Sequence, residues 1–214
     1  MNLMSLQDYI QNPCRMSSLS FWKTKNTPVP ADILIIHDEQ YQTGKYDKYD
    51  DERFFRLRHD MNELQKPELP DGYSVVRAAA GEYASHINTC YSDISVTEEL
   101  ISSYTDHAVY DADLWVAVID AETRQIVASG IAECDPEARE GTLEWIQVTE
   151  SCRRKGLGQF IVNELLWRMR EKAAFVTVSG KVENKTKPEQ LYRKCGFSGT
   201  DVWHILRRKK NISI

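Results

Sequence analysis

The pattern of apolar and polar positions is irregular up to Pro70 and regular after it. The first part contains a strand-like run, an acidic tract, an amphipathic stretch and two closing prolines: 31–37, 46–52, 53–64, Pro67 and Pro70. We therefore predict an N-terminal α/β extension of residues 1–70 that packs on a domain of residues 71–214. The extension either caps the pocket of that domain or mediates a homodimer.

After Pro70, apolar positions recur with the period of a strand or of a helix. The predicted strands cover 73–77, 113–120, 126–132, 142–148, 174–179 and 201–207. The predicted helices cover 82–91, 97–105, 156–172 and 188–194. This order predicts an α/β (α+β) fold with helices on the faces of a sheet.

Composition narrows the class of protein further. A hydrophobic fraction of 42% with 28% charged residues is enough for a buried core, and no apolar run approaches the roughly 18 residues of a membrane span. The start has no basic stretch followed by an apolar block, which favours a cytoplasmic protein. The five cysteines are odd in number and form no C-x-x-C pair, and neither they nor the histidines have the spacing of a metal site.

The charge is unevenly distributed along the chain. Residues 150–214 hold 15 Lys or Arg against 6 Asp or Glu, whereas residues 71–149 hold 3 against 15. Surface charge is most often a solvated face, but this asymmetry also suits an anionic cofactor beside a cationic substrate.

The segment 147–158, Gln-Val-Thr-Glu-Ser-Cys-Arg-Arg-Lys-Gly-Leu-Gly, is the most specific signal for chemistry. A strand ends there and a basic, glycine-containing turn opens a helix, and such a helix start binds anions through its unpaired N–H groups. No G-K-[ST] follows, which excludes a Walker loop, and Ile161 stands where a dinucleotide fingerprint needs a small residue. The turn must therefore bind a different diphosphate.

These residues resemble the GNAT superfamily of acetyl-CoA-dependent N-acyltransferases. The string Arg153-Arg-Lys-Gly-Leu-Gly158 matches its R/Q-x-x-G-x-G/A motif, and Asn184 followed by Leu191-Tyr192 and Gly196-Phe197 is similar to a second family motif. The resemblance covers about residues 72–210, including strings similar to a subgroup of predicted bacterial acetyltransferases. It implies a mixed central sheet of about six to seven strands. Asn184 and Tyr192 are eight positions apart, one more than the family spacing.

The resemblance also implies a cofactor, acetyl-CoA, and residues that bind it. Amides of 154–158 would bind the diphosphate, and the pantetheine arm would pair with the strand edge at 146–148. The implied cofactor-binding residues are Ile146, Gln147, Val148, Arg153, Arg154, Lys155, Gly156, Leu157, Gly158 and Asn184.

A charged residue in an apolar strand makes Glu144 the candidate general base, and alternation predicts that it shares a face with Ile146 and Val148. Glu144 could instead face solvent or only orient the substrate, and Glu133 and Asp135 are substitutes. The resemblance implies that Tyr192 is the general acid for the thiolate. Cys195 has no histidine at a fixed spacing, so direct attack by the amine is favoured over a covalent intermediate.

The resulting hypothesis is an enzyme that transfers acetyl from acetyl-CoA to a primary amine of a small molecule or peptide. By resemblance, five residues of the helix-to-strand region would shape the acceptor pocket: Tyr104, His107, Tyr110, Asp111 and Asp113. The alternatives are a catalytically silent acyl-CoA-binding module and a nucleic-acid binder using the basic tail 207–210. A sequence pI near 5.6 argues against the second.

Overall fold

The computed structural model describes residues 4–209. The helices are α1 Leu6–Gln11, α2 Pro13–Met16, α3 Phe21–Asn26, α4 Ala80–Cys90, α5 Glu98–Ser103, α6 Leu157–Met169 and α7 Pro188–Lys194. The strands are β1 Ile33–His37, β2 Tyr49–His59, β3 Tyr73–Val76, β4 Trp115–Asp120, β5 Ile126–Asp135, β6 Glu140–Val148, β7 Phe175–Lys181 and β8 Ser198–Arg208. Short 3-10 turns lie at Asp38–Gln40, Tyr104–Asp106, Ala112–Leu114 and Glu150–Cys152.

The chain forms two compact units, and the first unit joins the two ends of the sequence. It comprises residues up to Arg58 and residues from Thr177 onward. Its strand order is β1-β8-β2-β7, and β8 pairs antiparallel with β1 on one side and with β2 on the other. Its core contains Tyr9, Phe21, Phe55, Leu57 and Leu206, each at most 2% exposed.

The second unit, His59–Val176, is built on an antiparallel meander. Its strand order is β6-β5-β4-β3, with each strand hydrogen-bonded to the next along the chain. Helices α4 and α5 pack on one face of this meander, where Ala117 and Ile131 are buried against Tyr83, Ile87 and Ile101.

Helix α6 covers the opposite face of the meander. An added methyl group at Gly130 of β5 would stand 2.4 Å from Ile161 of α6, so the absence of a side chain there lets helix and strand approach closely. The apolar stripe of α6 is buried along its length, and each such side chain contributes about 1.5–3 kcal/mol. This close packing fixes the start of α6 relative to the end of β6.

The structure confirms the predicted α/β class, with a mixed sheet flanked by helices. It has eight strands in the described residues, so the predicted six to seven is too few. The main addition is β2, which falls in the stretch recognised only as acidic and amphipathic. Its alternating Arg and apolar residues pack as a strand because β8 supplies the partner.

Three short helices at 6–26 also had no clear signal in the sequence. The division into residues 1–70 and 71–214 stays a prediction. Among residues 4–209, no helix is long and apolar enough to cross a membrane. Lys210 of the basic tail lies outside the described residues.

Candidate active site

Strand β6 carries a bulge at Glu144. Ile131 of β5 is opposite Trp145, whereas the next residue, Ala132, is opposite Leu143, so Glu144 is the extra residue of the bulge. A bulge bends its strand and redirects a side chain. The predicted alternation that places Glu144 on one face with Ile146 and Val148 is therefore wrong, because the register shift interrupts it.

Beyond the bulge, β6 presents one edge of its backbone away from β5. The Thr149 N–H donates to the Val127 carbonyl of β5, so the backbone groups of Thr149 point toward β5. Backbone N–H and C=O groups alternate sides along a strand. The N–H and C=O groups of Ile146 and Val148 therefore point away from β5. Side chains bind these two carbonyls: the Tyr91 hydroxyl donates to that of Ile146 at 3.4 Å and Arg153 Nε to that of Val148 at 3.2 Å. Both are bonds that an incoming amide could replace.

The turn after β6 has two residues with left-handed backbone conformation. Arg154 has φ +63° and Gly156 has φ +84°, and helix α6 begins at the next residue, Leu157. A side chain at Gly156 would be strained, and its first carbon would also lie 3.4 Å from Pro70. Left-handed residues at a helix start turn successive N–H groups toward one point, which is the geometry of an anion-binding nest.

The N–H groups of this turn are available to a ligand. Among the described residues, no backbone carbonyl accepts a hydrogen bond from the amides of Arg154, Lys155 or Gly156. The amides of Leu157 and Gly158 lie in the first turn of α6, where a helix leaves its N–H groups without a carbonyl partner. The Arg154 and Lys155 side chains are exposed here. The arrangement can hold a dianionic group against the main chain.

Two of the predicted cofactor-binding residues have different contacts. The side chain of Arg153 folds back onto the Val148 carbonyl and lies 3.9 Å from Glu150. Gln147 is buried and donates through Nε2 to the Ser129 hydroxyl of β5. Neither side chain points its polar atoms at the N–H groups of the turn.

A buried histidine that sequence reasoning missed holds the start of the turn. His86 of α4 lies 2.8 Å through Nδ1 from the Ser129 hydroxyl and 3.0 Å through Nε2 from the Thr149 hydroxyl. Desolvation by burial lowers its pKa to about 4. The neutral ring thereby links α4 and β5 to the residue that follows β6. Its partners are 43 and 63 positions away, so no local pattern indicates them.

On the same face as α4, the side chains of His107 and Glu133 are within hydrogen-bond distance of each other. Nδ1 of His107 lies 2.9 Å from Oε1 of Glu133, a side chain only 6% exposed. Tyr104 stacks on the His107 ring with centroids 5.2 Å apart, and Trp145 Nε1 donates to the Tyr104 hydroxyl at 3.2 Å. Tyr104 and His107, predicted to shape the acceptor pocket, thus meet Glu133, predicted as a substitute base.

The other residues predicted near the acceptor have structural partners. Asp111 pairs with Lys172 at 2.5 Å, and Tyr110 packs edge-on against Trp115. Asp113 accepts through its main-chain carbonyl from Arg168 of α6. Asp135, the remaining substitute base, caps its own turn, because its Oδ1 accepts hydrogen bonds from the main-chain N–H groups of Glu137 and Ala138.

Asn184, Tyr192 and Cys195 belong to the first unit. The Asn184 side-chain oxygen accepts from the N–H and hydroxyl of Thr186, so it shapes the turn before α7. Tyr192 of α7 is 6% exposed and its ring contacts those of Phe55 and Phe197. Burial raises the pKa of the Cys195 thiol to about 12, which disfavours the thiolate that a covalent mechanism needs.

Comparison with known proteins gives the class. Residues 110–199 match the family described as an acetyltransferase (GNAT) domain. A GCN5-related N-acetyltransferase from Sphaerobacter thermophilus has a similar fold, with TM-score 0.66 and 17% identity over 90% of this chain and 66% of that one. A Drosophila protein has a TM-score of 0.59 and 15% identity, and the match covers 76% of this chain and 52% of that one. A GCN5-related N-acetyltransferase from Kribbella flavida has a TM-score of 0.54 and 16% identity, and the match covers 85% of this chain and 70% of that one. No curated protein matches the chain.

Residues 110–199, less than half of the chain, therefore match a GNAT acetyltransferase domain, which confirms the resemblance found in the motifs and supports an acyltransferase. The chain spans about two thirds of the length of the Sphaerobacter protein and about half of the Drosophila protein. At these identities the structural likeness concerns the fold alone.

Proposed function

We propose that the protein transfers the acetyl group of acetyl-CoA to a primary amine of a small molecule or peptide. The observation that carries this proposal is the row of available N–H groups from Arg154 to Gly158, directly after a strand whose Ile146 and Val148 carbonyls accept hydrogen bonds from the side chains of Tyr91 and Arg153. A diphosphate on the turn and a pantetheine amide at the edge would satisfy both sets of groups.

In this proposal the main chain supplies most of the cofactor contacts. The amides of 154–158 bind the diphosphate, and the exposed side chains of Arg154 and Lys155 add charge. The pantetheine arm takes the place of Tyr91 and Arg153 at the carbonyls of Ile146 and Val148. Helix α6, with its positive end at the turn, contributes a favourable electrostatic interaction.

The chemical step is direct attack of the amine on the thioester carbon. A C–N bond forms and the C–S bond breaks, the leaving thiolate takes up one proton, and the nitrogen of the product loses one to solvent. Glu144, on the bulge, is the carboxylate proposed to contact the acceptor, either accepting its proton through water or fixing its orientation. Tyr192 of the first unit is proposed as the acid that protonates the thiolate.

The five cysteines are free thiols, which agrees with a reducing compartment. We accordingly propose that the protein acts in the cytoplasm, where acetyl-CoA and amines meet. Its acceptor is cationic before reaction, which suits the acidic bias of residues 71–149.

A catalytically silent acyl-CoA-binding module is the alternative. It shares the turn and the strand edge but needs no proton acceptor beside them. The buried carboxylate of Glu133 and its contact with His107 favour an enzyme, because a module that only binds CoA has no use for that pair.

The test is release of free thiol from acetyl-CoA with cadaverine, tyramine and the N-terminal amine of a short peptide. The unaltered protein is expected to release thiol with at least one of them and to form the corresponding amide. Gly156→Ala is expected to raise the KM for acetyl-CoA about tenfold or more, because the added methyl stands where the diphosphate meets the main chain.

Gly72→Ala is the matched control. Gly72 has φ +83°, nearly that of Gly156, and open space around it, so both substitutions carry the same roughly 1–2 kcal/mol of backbone strain. The control variant should keep the KM of the unaltered protein. Binding of CoA without thiol release for any amine would favour the silent module, and equal KM values for the two variants would remove the turn from the site.

A further inference from the structure

The second unit holds a buried acid and a histidine that the binding of CoA does not require. Glu133 of β5 is 4% exposed, and its Oε1 lies 2.9 Å from Nδ1 of His107, whose side chain is 27% exposed. A carboxylate buried to this extent is costly unless it is partnered. The histidine is therefore part of what allows the acid to be there.

The contact fixes which nitrogen of His107 is basic. With its carboxylate ionised, Glu133 can only accept hydrogen bonds, and Nδ1 of His107 then carries the hydrogen and donates it. In the neutral ring Nε2 then carries the lone pair. Glu133 also stabilises the imidazolium that forms when Nε2 takes a proton, which is how an acid behind a histidine supports base catalysis.

The pair lies close in the fold to the bulge. Glu133 is two residues along β5 from Ile131, and Ile131 is opposite Trp145, the neighbour of Glu144. Trp145 Nε1 donates a hydrogen bond to the Tyr104 hydroxyl, and the Tyr104 ring stacks on the ring of His107. Aromatic faces and a buried carboxylate together favour a cation.

From these contacts we propose that His107, held by Glu133, is the proton acceptor for a primary ammonium bound against Tyr104 and Trp145. The inference rests on the proposed acetyl transfer and names its base. The N–H bond of the ammonium breaks and the proton passes to Nε2 of His107. The amine then attacks the thioester, and the imidazolium returns its proton to solvent through its exposed edge. Glu144 acts in orienting the ammonium.

The loop that carries His107 is anchored for this role. The Cys134 N–H donates to the Val109 carbonyl at 2.9 Å, which ties the loop to the residue that follows Glu133. Val109 is itself buried. The titratable groups in contact with His107 include Glu133 from β5 and Tyr104 from the preceding turn, and Asp106 is adjacent in the chain.

The experiment compares steady-state kinetics with cadaverine for the unaltered protein and for His107→Gln, Glu133→Gln and Glu144→Gln. His107→Gln is expected to lower kcat about 100-fold or more and to abolish the rise of kcat/KM with pH. Glu133→Gln should lower kcat and move that rise to lower pH, because the imidazolium loses its counter-charge. Glu144→Gln should raise the KM for cadaverine more than it lowers kcat.

Glu122→Gln is the matched control, since Glu122 is exposed in the β4–β5 hairpin of the same unit. Its kinetics should equal those of the unaltered protein. All variants should bind CoA with unchanged affinity in a calorimetric titration, which shows that the fold is retained. If His107→Gln does not fold, the shifted pH profile of Glu133→Gln and rescue of His107→Ala by added imidazole provide the same test.

The outcomes separate the two proposals. If the unaltered protein binds CoA but acetylates no amine of the panel, the proposed function fails and this inference with it. If it acetylates cadaverine and His107→Gln keeps kcat within about threefold and the same pH profile, only the assignment of His107 is overturned.

Discussion

At the scale of single residues, the proposed site depends on Gly156 in the turn before α6 and on the contact between His107 and Glu133. Gly156 can be recognised from the sequence, because a glycine in a basic turn before a helix indicates a left-handed backbone conformation. Its φ of +84° confirms that conformation. His107 and Glu133 are both visible as candidates. The contact between them, 26 positions apart in the chain, cannot be predicted from the sequence, because no periodic pattern relates a loop to a strand.

Glu144 shows the opposite case. Period two along 143–148 predicts its face correctly only if the strand is regular, and the bulge lies at Glu144 itself. A bulge depends on the register of the neighbouring strand, which a local pattern does not contain. The contacts of His86 likewise cannot be predicted from the sequence, because a single histidine on a helix does not indicate which hydroxyl groups lie beside it.

His86 makes stability depend on pH. Its pKa is lowered to about 4 in the folded protein against an ordinary value of about 6.5, so the unfolded chain binds more protons between these pH values. The free energy of unfolding should therefore fall as pH drops from about 6.5 toward 4, by on the order of 3 kcal/mol from this group.

The measurement is urea unfolding at several pH values for the unaltered protein and for His86→Gln. Burial lowers the pKa of His59 as well, so part of the slope remains in the variant. The difference between the two slopes isolates His86. Identical slopes would show that His86 takes up no additional proton on unfolding.

At the scale of elements, helices and strands with a clear period are predicted well. The meander β4 to β6, helix α6 and helix α7 are confirmed within a few residues. The N-terminal segments are predicted least well. Strand β2 combines arginines with apolar residues and is stabilised by β8, from more than 130 positions away, so tertiary pairing rather than local preference determines it.

This pairing gives a test of the predicted boundary at residue 70. Deleting residues 1–70 removes β1 and β2, which are the antiparallel partners on both sides of β8. Unpaired strand edges leave backbone groups unsatisfied and promote aggregation. We expect the 71–214 fragment to lose its cooperative thermal transition, and residues 1–70 supplied as a separate chain to restore it in part.

Circular dichroism during heating and size-exclusion chromatography measure this. A 71–214 fragment that is monomeric and melts cooperatively would establish residues 71–214 as an autonomous domain. It would also contradict the view that β8 depends on its two partners.

At the scale of the whole molecule, the sequence establishes the class and leaves the acceptor open. The glycine turn at 153–158 and the order of elements are enough to identify a GNAT domain, and residues 110–199 match that family. The contacts proposed for the acceptor, such as that of His107 with Glu133, come from segments without a shared motif. For that reason a sequence motif indicates the proposed cofactor turn, and none indicates the proposed acceptor contacts.

The central claim is that the amides after Cys152 bind the diphosphate of an acyl-CoA. Calorimetric titration with CoA and, in parallel, with pantetheine, which lacks the diphosphate, tests it most directly. We expect measurable heat and a 1:1 complex with CoA, and at least about tenfold weaker binding of pantetheine, a difference of about 1.4 kcal/mol. Equal affinity for the two compounds, or no heat with CoA, would contradict it.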